Sequence, residues 1–137
     1  MTKYTLTDQL KTGNAMIDSQ HKQLIDAIND LLEACYSGKG RAQLAKTTQF
    51  LLDYTKKHFG DEEALQRKFN YPDYINHKKL HDGFTADVKE IGDQLNKEGA
   101  NVTLVGKVNN TIVGWLFNHI KKEDTKIAAF IKNTKTV

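Results

Sequence analysis

The stretch that decides the fold begins His58-Phe59-Gly60-Asp61-Glu62, breaks at Asn70-Tyr71-Pro72, and resumes as His77-Lys78-Lys79-Leu80-His81. In an α-helix, residues four apart stand one turn above another on the same face. His58 therefore shares a face with Glu62, and His77 with His81. A proline is excluded from a helix interior but suits a first turn, so Pro72 marks the junction of two helices. The flanking apolar residues show which face is inner. Leu44, Thr48, Leu51, Thr55, His58, Glu62, Leu65 and Phe69 alternate by four and three, which predicts a helix over about Ala42–Lys68. His77, His81, Phe84, Val88, Ile91 and Leu95 do the same and predict a helix over about Pro72–Lys97. Gly83 and Gly92 each weaken that helix by up to about 1 kcal/mol relative to alanine, and a close helix approach would account for them.

Upstream, Ile17, His21, Leu24, Ile28, Leu31 and Cys35 form one face of a helix over about Asp18–Ser37. Asp18 or Ser19 is the expected N-cap, and Gly38-Lys39-Gly40 the terminating turn. Downstream, Glu98-Gly99-Ala100-Asn101 reads as a turn into a fourth helix from near Val102, with inner residues Val105, Val108, Ile112, Trp115 and His119. Ile127, Phe130 and Ile131 resume the apolar pattern and predict a short C-terminal helix. Residues 1–13 hold no period; Leu6 and Leu10 suit an extended arm laid on the core, closed by a Gly13-Asn14 turn. Strand-type alternation is absent. The expected fold is all-α: an antiparallel up-down four-helix bundle with an N-terminal arm and a short C-terminal helix.

The length of 137 residues suits one domain with one core, and the expected domain spans 1–137. Cys35 is the only cysteine, so neither an internal disulfide nor a thiolate metal site can form. On its apolar stripe it reads as a buried, inert thiol. The net charge of +3 is scattered in short pairs such as Lys56-Lys57 and Lys121-Lys122. These read as solvated helix faces and argue against nucleic acid. The N-terminal residues lack a signal-peptide pattern and no segment has the apolar length of a membrane span, so a soluble, cytoplasmic protein is expected, with a monomer as the default and an oligomer left open.

All five histidines fall at inner positions, and each long helix supplies at least one. Burying five imidazoles and a carboxylate without a shared ligand would leave many polar groups unsatisfied. Imidazole and carboxylate without thiolate suit iron, zinc, copper, nickel or manganese. The candidate donors are too many for one ion and fit two. No His-Glu-x-x-His or Glu-x-x-His occurs, which argues against a zinc protease and against a ferritin-like centre. One position stays open on spacing. In a regular helix His119 shares its face with Glu123, whereas Asp124 is rotated away by about 140°. Asp124 joins the face only if the helix is distorted between 119 and 124.

Four pieces, Ile17-Asp18-Ser19-Gln20-His21-Lys22, His58-Phe59-Gly60-Asp61-Glu62-Glu63, His77-Lys78-Lys79-Leu80-His81, and Trp115 to His119 with Asp124, span nearly the whole chain. Together they resemble the hemerythrin family, most closely its single-domain bacteriohemerythrins. The resemblance implies Asp124 over Glu123, and iron at both positions. His77, His81 and His119 would ligate one iron, and His21 and His58 the other. Glu62 and Asp124 would bridge both, with an oxo or hydroxo group. The two-histidine iron would keep an open position, where dioxygen binds in the family. Phe59, Phe117 and Trp115 are the expected apolar lining of that oxygen pocket. Bacteriohemerythrins often carry an aromatic residue, commonly tryptophan, in the N-terminal arm. Tyr4 and Leu6 stand here instead, which bears on pocket access rather than on iron binding.

The implied function is reversible dioxygen binding at a non-haem di-iron centre, as carrier, store or local supply, and not an enzyme. The alternatives are a di-iron redox enzyme or sensor handling oxygen, peroxide or nitric oxide, and iron storage. The inner stripes carry no spare acid or base for the enzyme. No acidic entry path suggests storage.

Overall fold

A computed structural model describes residues 4–38 and 41–135, which are helical apart from turns and most of the arm; the arm, expected to be extended, forms a 3-10 turn at Asp8–Leu10. Helix α1 spans Ala15–Tyr36, α2 Arg41–Lys68 and α3 Tyr74–Glu98. Helix α4 covers 102–135 and changes width along its length. It is α-helical at Val102–Lys107, Gly114–His119 and Thr125–Lys135, with wider π-helical turns at Val108–Val113 and Ile120–Asp124. The junction residues Val108, Gly114, Ile120 and Thr125 all keep right-handed helical dihedrals. The C-terminal helix expected as a separate element is therefore joined to the fourth without a break. The result is the antiparallel four-helix bundle, with α2 packed along both α1 and α3.

The boundaries have local causes. α1 starts at Ala15 because the Asn14 side chain accepts the Ile17 N–H at 3.1 Å. Asp18, expected as the cap, instead fastens the arm. Its carboxylate accepts from Thr12 N and Thr12 Oγ1 at 2.8 Å each and from Gly13 N at 3.1 Å, where Gly13 turns at φ +87°. Of the turn expected at Gly38-Lys39-Gly40, Gly38 adopts φ +68°, and the other two positions lie outside the described residues.

α2 ends in a left-handed Asn70 at φ +54°. The Asn70 N–H reaches Arg67 O at 3.2 Å and the Tyr71 N–H reaches Gln66 O at 2.9 Å, a Schellman closure. Pro72 lies two residues ahead of α3 rather than in its first turn.

The inner stripes of α1 and α3 are buried as their periods predict. α2 departs at its end, where Gln66 is fully buried and Leu65 only partly. α4 departs more. Leu104 takes the inner place expected of Val105, one turn ahead of Val108, and Leu116 takes that of Trp115 beyond the wide turn at Val108–Val113, which shifts the phase. Two apolar clusters result. The larger draws on all four helices, including Leu24, Leu51, Phe84 and Leu116; the smaller joins Ile17, Ile127 and Ile131. On α1, His21 lies between Ile17 of the smaller cluster and Leu24 of the larger one.

A close approach holds α2 against α3. A Cβ added to Gly92 would collide with Thr48 Cγ2. Gly83 has open space around it, so the close approach expected for both glycines holds for Gly92 alone.

Candidate metal centre

His21, His58, Glu62, His77, His81, His119 and Asp124 are all buried and brought together between the two apolar clusters. The π-turn at Ile120–Asp124 decides the last of these. The Thr125 N–H reaches back to Ile120 O, five residues earlier, and this widening carries Asp124 onto the face of His119. Asp124 is fully buried; Glu123 stays partly exposed.

The donor atoms fall into two overlapping groups, each with atoms within 4.8 Å of one another. One comprises His77, His81, His119, Glu62 and Asp124, the other His21, His58, Glu62 and Asp124. The carboxylates belong to both, through different oxygens. Glu62 Oε1 lies 2.9 Å from His77 Nε2 and 3.2 Å from His81 Nε2, while its Oε2 lies 3.4 Å from His58 Nε2. Asp124 Oδ1 lies 3.4 Å from His77 Nε2 and 3.3 Å from His119 Nε2, while its Oδ2 lies 2.8 Å from His21 Nε2. His119 Nε2 also approaches His77 Nε2 at 3.0 Å and His81 Nε2 at 3.3 Å.

These contacts are those of lone pairs aimed at common points. His21 Nε2, His58 Nε2, Glu62 Oε2 and Asp124 Oδ1 are buried without a hydrogen-bond partner despite their close neighbours. An unpaired buried carboxylate oxygen is costly, and a cation removes the cost. Five imidazoles and two carboxylates, with each carboxylate split between two groups, fit a pair of first-row metal ions.

Burial keeps the lone pairs of His58 and His81 free. Burial, reinforced by neighbouring His21, drives His58 down to about 3. Burial also lowers His81 to about 4, although Glu62 opposes it. Burial would lower His77 too, but its contacts with Asp124 and Glu62 overcome that and raise it to about 9. Burial would raise Asp124; His119, His21 and His77 outweigh it and hold the carboxyl well below the usual range.

Several supporting groups escape the period-based reading, because they sit one position off the inner stripe. Gln20 Oε1 contacts His58 Nδ1 at 2.7 Å, and Glu63 Oε2 contacts His81 Nδ1 at 2.9 Å. The aromatic residues hold the rings from the side. Phe59 stacks on His81 at 3.7 Å and 2°, and Trp115 stacks on His119 at 4.4 Å and 11°. Phe84 stacks on the other side of Trp115 at 4.2 Å. Of the three aromatic residues expected to line an oxygen pocket, Phe59 also meets His58, at 5.7 Å. Phe117 meets Tyr4 of the arm, at 5.4 Å.

Residues 12–131 match the family described as the hemerythrin HHE cation binding domain. The chain belongs to the hemerythrin family. It is 34% identical over 117 residues to a bacteriohemerythrin of Pseudomonas paraeruginosa, covering 85% of this chain and 74% of that one. A bacteriohemerythrin of Campylobacter jejuni is 31% identical over 123 residues, covering 88% and 90%. A crystal structure of wild-type hemerythrin superposes with a TM-score of 0.80 at 27% identity, over 94% of this chain and 96% of that one. The family implies non-haem iron binding, and the buried histidine and carboxylate groups at the bundle centre could hold a metal ion.

Proposed function

We propose that this hemerythrin binds dioxygen reversibly at a non-haem di-iron centre and acts as an oxygen carrier, store or local supplier rather than as an enzyme. One observation carries the reading: Glu62 and Asp124 each turn one oxygen to a three-histidine group and the other to a two-histidine group. Two ions held by five histidines and two shared carboxylates are thus coordinated unequally. His77, His81 and His119 would hold one iron, and His21 and His58 the other, with Glu62 and Asp124 offering an oxygen to each. The position with fewer protein donors is the one with room for an exogenous ligand. A ferrous pair held there would supply the two electrons that reversible dioxygen binding requires.

The rest is the work of the chain. Neutral imidazoles add no charge, and the two carboxylates offset part of the metal charge. Gln20 and Glu63 hold His58 and His81 by their second ring nitrogens. Phe59, Trp115 and Phe84 pack around the rings and exclude water, which opposes loss of reduced oxygen and irreversible oxidation. The whole chain works as one domain. Among the described residues no helix is long and apolar enough to cross a membrane.

The test is iron content per chain, together with absorption spectra of reduced protein through repeated cycles of oxygen and argon. Two irons and a charge-transfer band that appears and disappears with oxygen are expected. Two irons with irreversible oxidation would replace carriage with redox or sensing chemistry. Absence of iron would remove the reading.

A further inference from the structure

Gln20 is buried and bridges two helices. Its Oε1 contacts His58 Nδ1 at 2.7 Å, and its Nε2 donates to Asp61 Oδ2 at 2.8 Å. Asp61 sits at the surface, where Lys57 Nζ also donates to Oδ2 at 2.9 Å. The chemistry of these groups fixes the direction of every bond. An ionised carboxylate accepts and never donates, so the amide NH₂ of Gln20 must face Asp61. Its carbonyl oxygen must then face His58, and a carbonyl only accepts. His58 must therefore carry its proton on Nδ1. The other ring nitrogen, Nε2, is buried with no hydrogen-bond partner and points into the cluster beside Glu62.

We infer that Gln20 is a positioning residue for His58, and that Asp61 acts through it from the surface to fix the His58 tautomer that offers its Nε2 lone pair to the metal centre. Neither residue touches the centre. Without Asp61 the carboxamide can turn over and present its NH₂ to His58, which favours the wrong tautomer. His81 needs no such device, because the Glu63 carboxylate contacts its Nδ1 directly at 2.9 Å. The relay is confined to the two-histidine side. The inference rests on the di-iron reading for its consequence, but the tautomer itself is a property of the full chain with or without metal.

The test uses that separation. Long-range proton–nitrogen spectra of the metal-free full chain at neutral pH report which nitrogen of His58 carries the proton. Wild-type protein should show Nδ1 protonated. Gln20→Leu should give a mixture or the opposite tautomer, and Asp61→Asn a partial loss. The double variant Gln20→Glu with Asp61→Asn transposes the charge. The amide introduced at position 61 then donates to the carboxylate introduced at position 20, which accepts from His58, so the wild-type tautomer should return. Packing alone predicts no such rescue. In the iron-loaded full chain, Gln20→Leu should speed loss of one iron to a chelator roughly ten- to a hundredfold, and the double variant should reverse this. An Nε2-protonated His58 in wild type, or an unchanged tautomer in Gln20→Leu, overturns the inference. Failure of the chain to bind iron overturns the di-iron reading and leaves the tautomer measurement standing.

Discussion

His119 Nε2 lies 3.3 Å from Asp124 Oδ1, although a regular helix would point them about 140° apart. The π-turn between them carries one residue more than an α-turn and removes the mismatch. Glu123, which a regular helix would align with His119, remains partly exposed. The near-isosteric substitutions Glu123→Gln and Asp124→Asn should therefore diverge. Iron content should stay at wild-type level in the first and fall in the second, because Asp124 serves both histidine groups. Equal loss of iron in both variants would mean that the turn does not set the ligand.

Helix faces were legible in the sequence because burial repeats along them. Every inner residue expected of α1 and α3 is buried. α4 was less legible. Its periodicity assumes a constant turn of about 3.6 residues, and two wide turns break that constancy, so Leu116 replaces Trp115 on the inner stripe. Spacing alone could state that Asp124 needed a distortion; it could not state that one exists. Gln20 and Glu63 were illegible for another reason. They act on the ring nitrogens that face away from the centre, and a pattern of inner positions carries no information about residues one step off it. Asp18 illustrates competition among good caps. It and Asn14 both suit the start of α1, and Asn14 takes that role while Asp18 ties down Thr12 and Gly13.

His77 contacts both shared carboxylates, Glu62 at 2.9 Å and Asp124 at 3.4 Å. His77→Ala should lower iron from two per chain toward one and abolish the spectrum of the coupled pair. A full complement of two irons with an unchanged spectrum would remove His77 from the ligand set.

Without metal, the site makes stability depend on pH in two directions. His58 and His81 are pushed down to about 3 and about 4 by burial, from an ordinary value of 6.5. Below 6.5 the unfolded chain takes up protons that the folded chain refuses, so stability falls as pH drops toward those values. Each group contributes a limiting slope of about 1.4 kcal/mol per pH unit. His77, held at about 9, acts oppositely. Its contribution is complete below 6.5 and is lost as pH rises to about 9. Denaturation of metal-free protein across pH should give a maximum near neutrality with a steep acid limb. A flat acid limb would show that His58 and His81 are not buried neutral.

Thr48 donates through Oγ1 to Leu44 O at 2.7 Å, which fixes its side-chain rotamer and aims its methyl group at Gly92. Gly92→Ala should then force α2 and α3 apart and cost about 1–3 kcal/mol. Gly83→Ala on the same helix meets nothing and should be neutral or stabilise by up to about 1 kcal/mol. Chemical denaturation of the two variants measures the contrast, and equal effects would refute the close approach. Because α2 and α3 carry His58, Glu62, His77 and His81, Gly92→Ala should also loosen metal retention.

The arm is held by its backbone as well as by its ring. Tyr4 N donates to Asn29 Oδ1 and Asn29 Nδ2 donates to Tyr4 O, each at 2.9 Å, while the Tyr4 ring packs on Phe117. Asn29 thus grips the arm in the way a neighbouring strand would, by satisfying both polar groups of one residue. Asn29→Ala removes both bonds and should cost about 1–2 kcal/mol. It touches none of the seven candidate ligands, so iron content should stay at wild-type level. If the arm shields the aromatic layer around Phe117 from water, the oxygenated protein should oxidise several-fold faster in this variant. Tyr4→Ala, which keeps the backbone grip and removes the ring, separates the two contributions. Faster oxidation in Asn29→Ala alone would assign the shielding to arm placement, and equal acceleration in both would assign it to the Tyr4 ring. An unchanged rate in both would show that the arm contributes stability and no control of access.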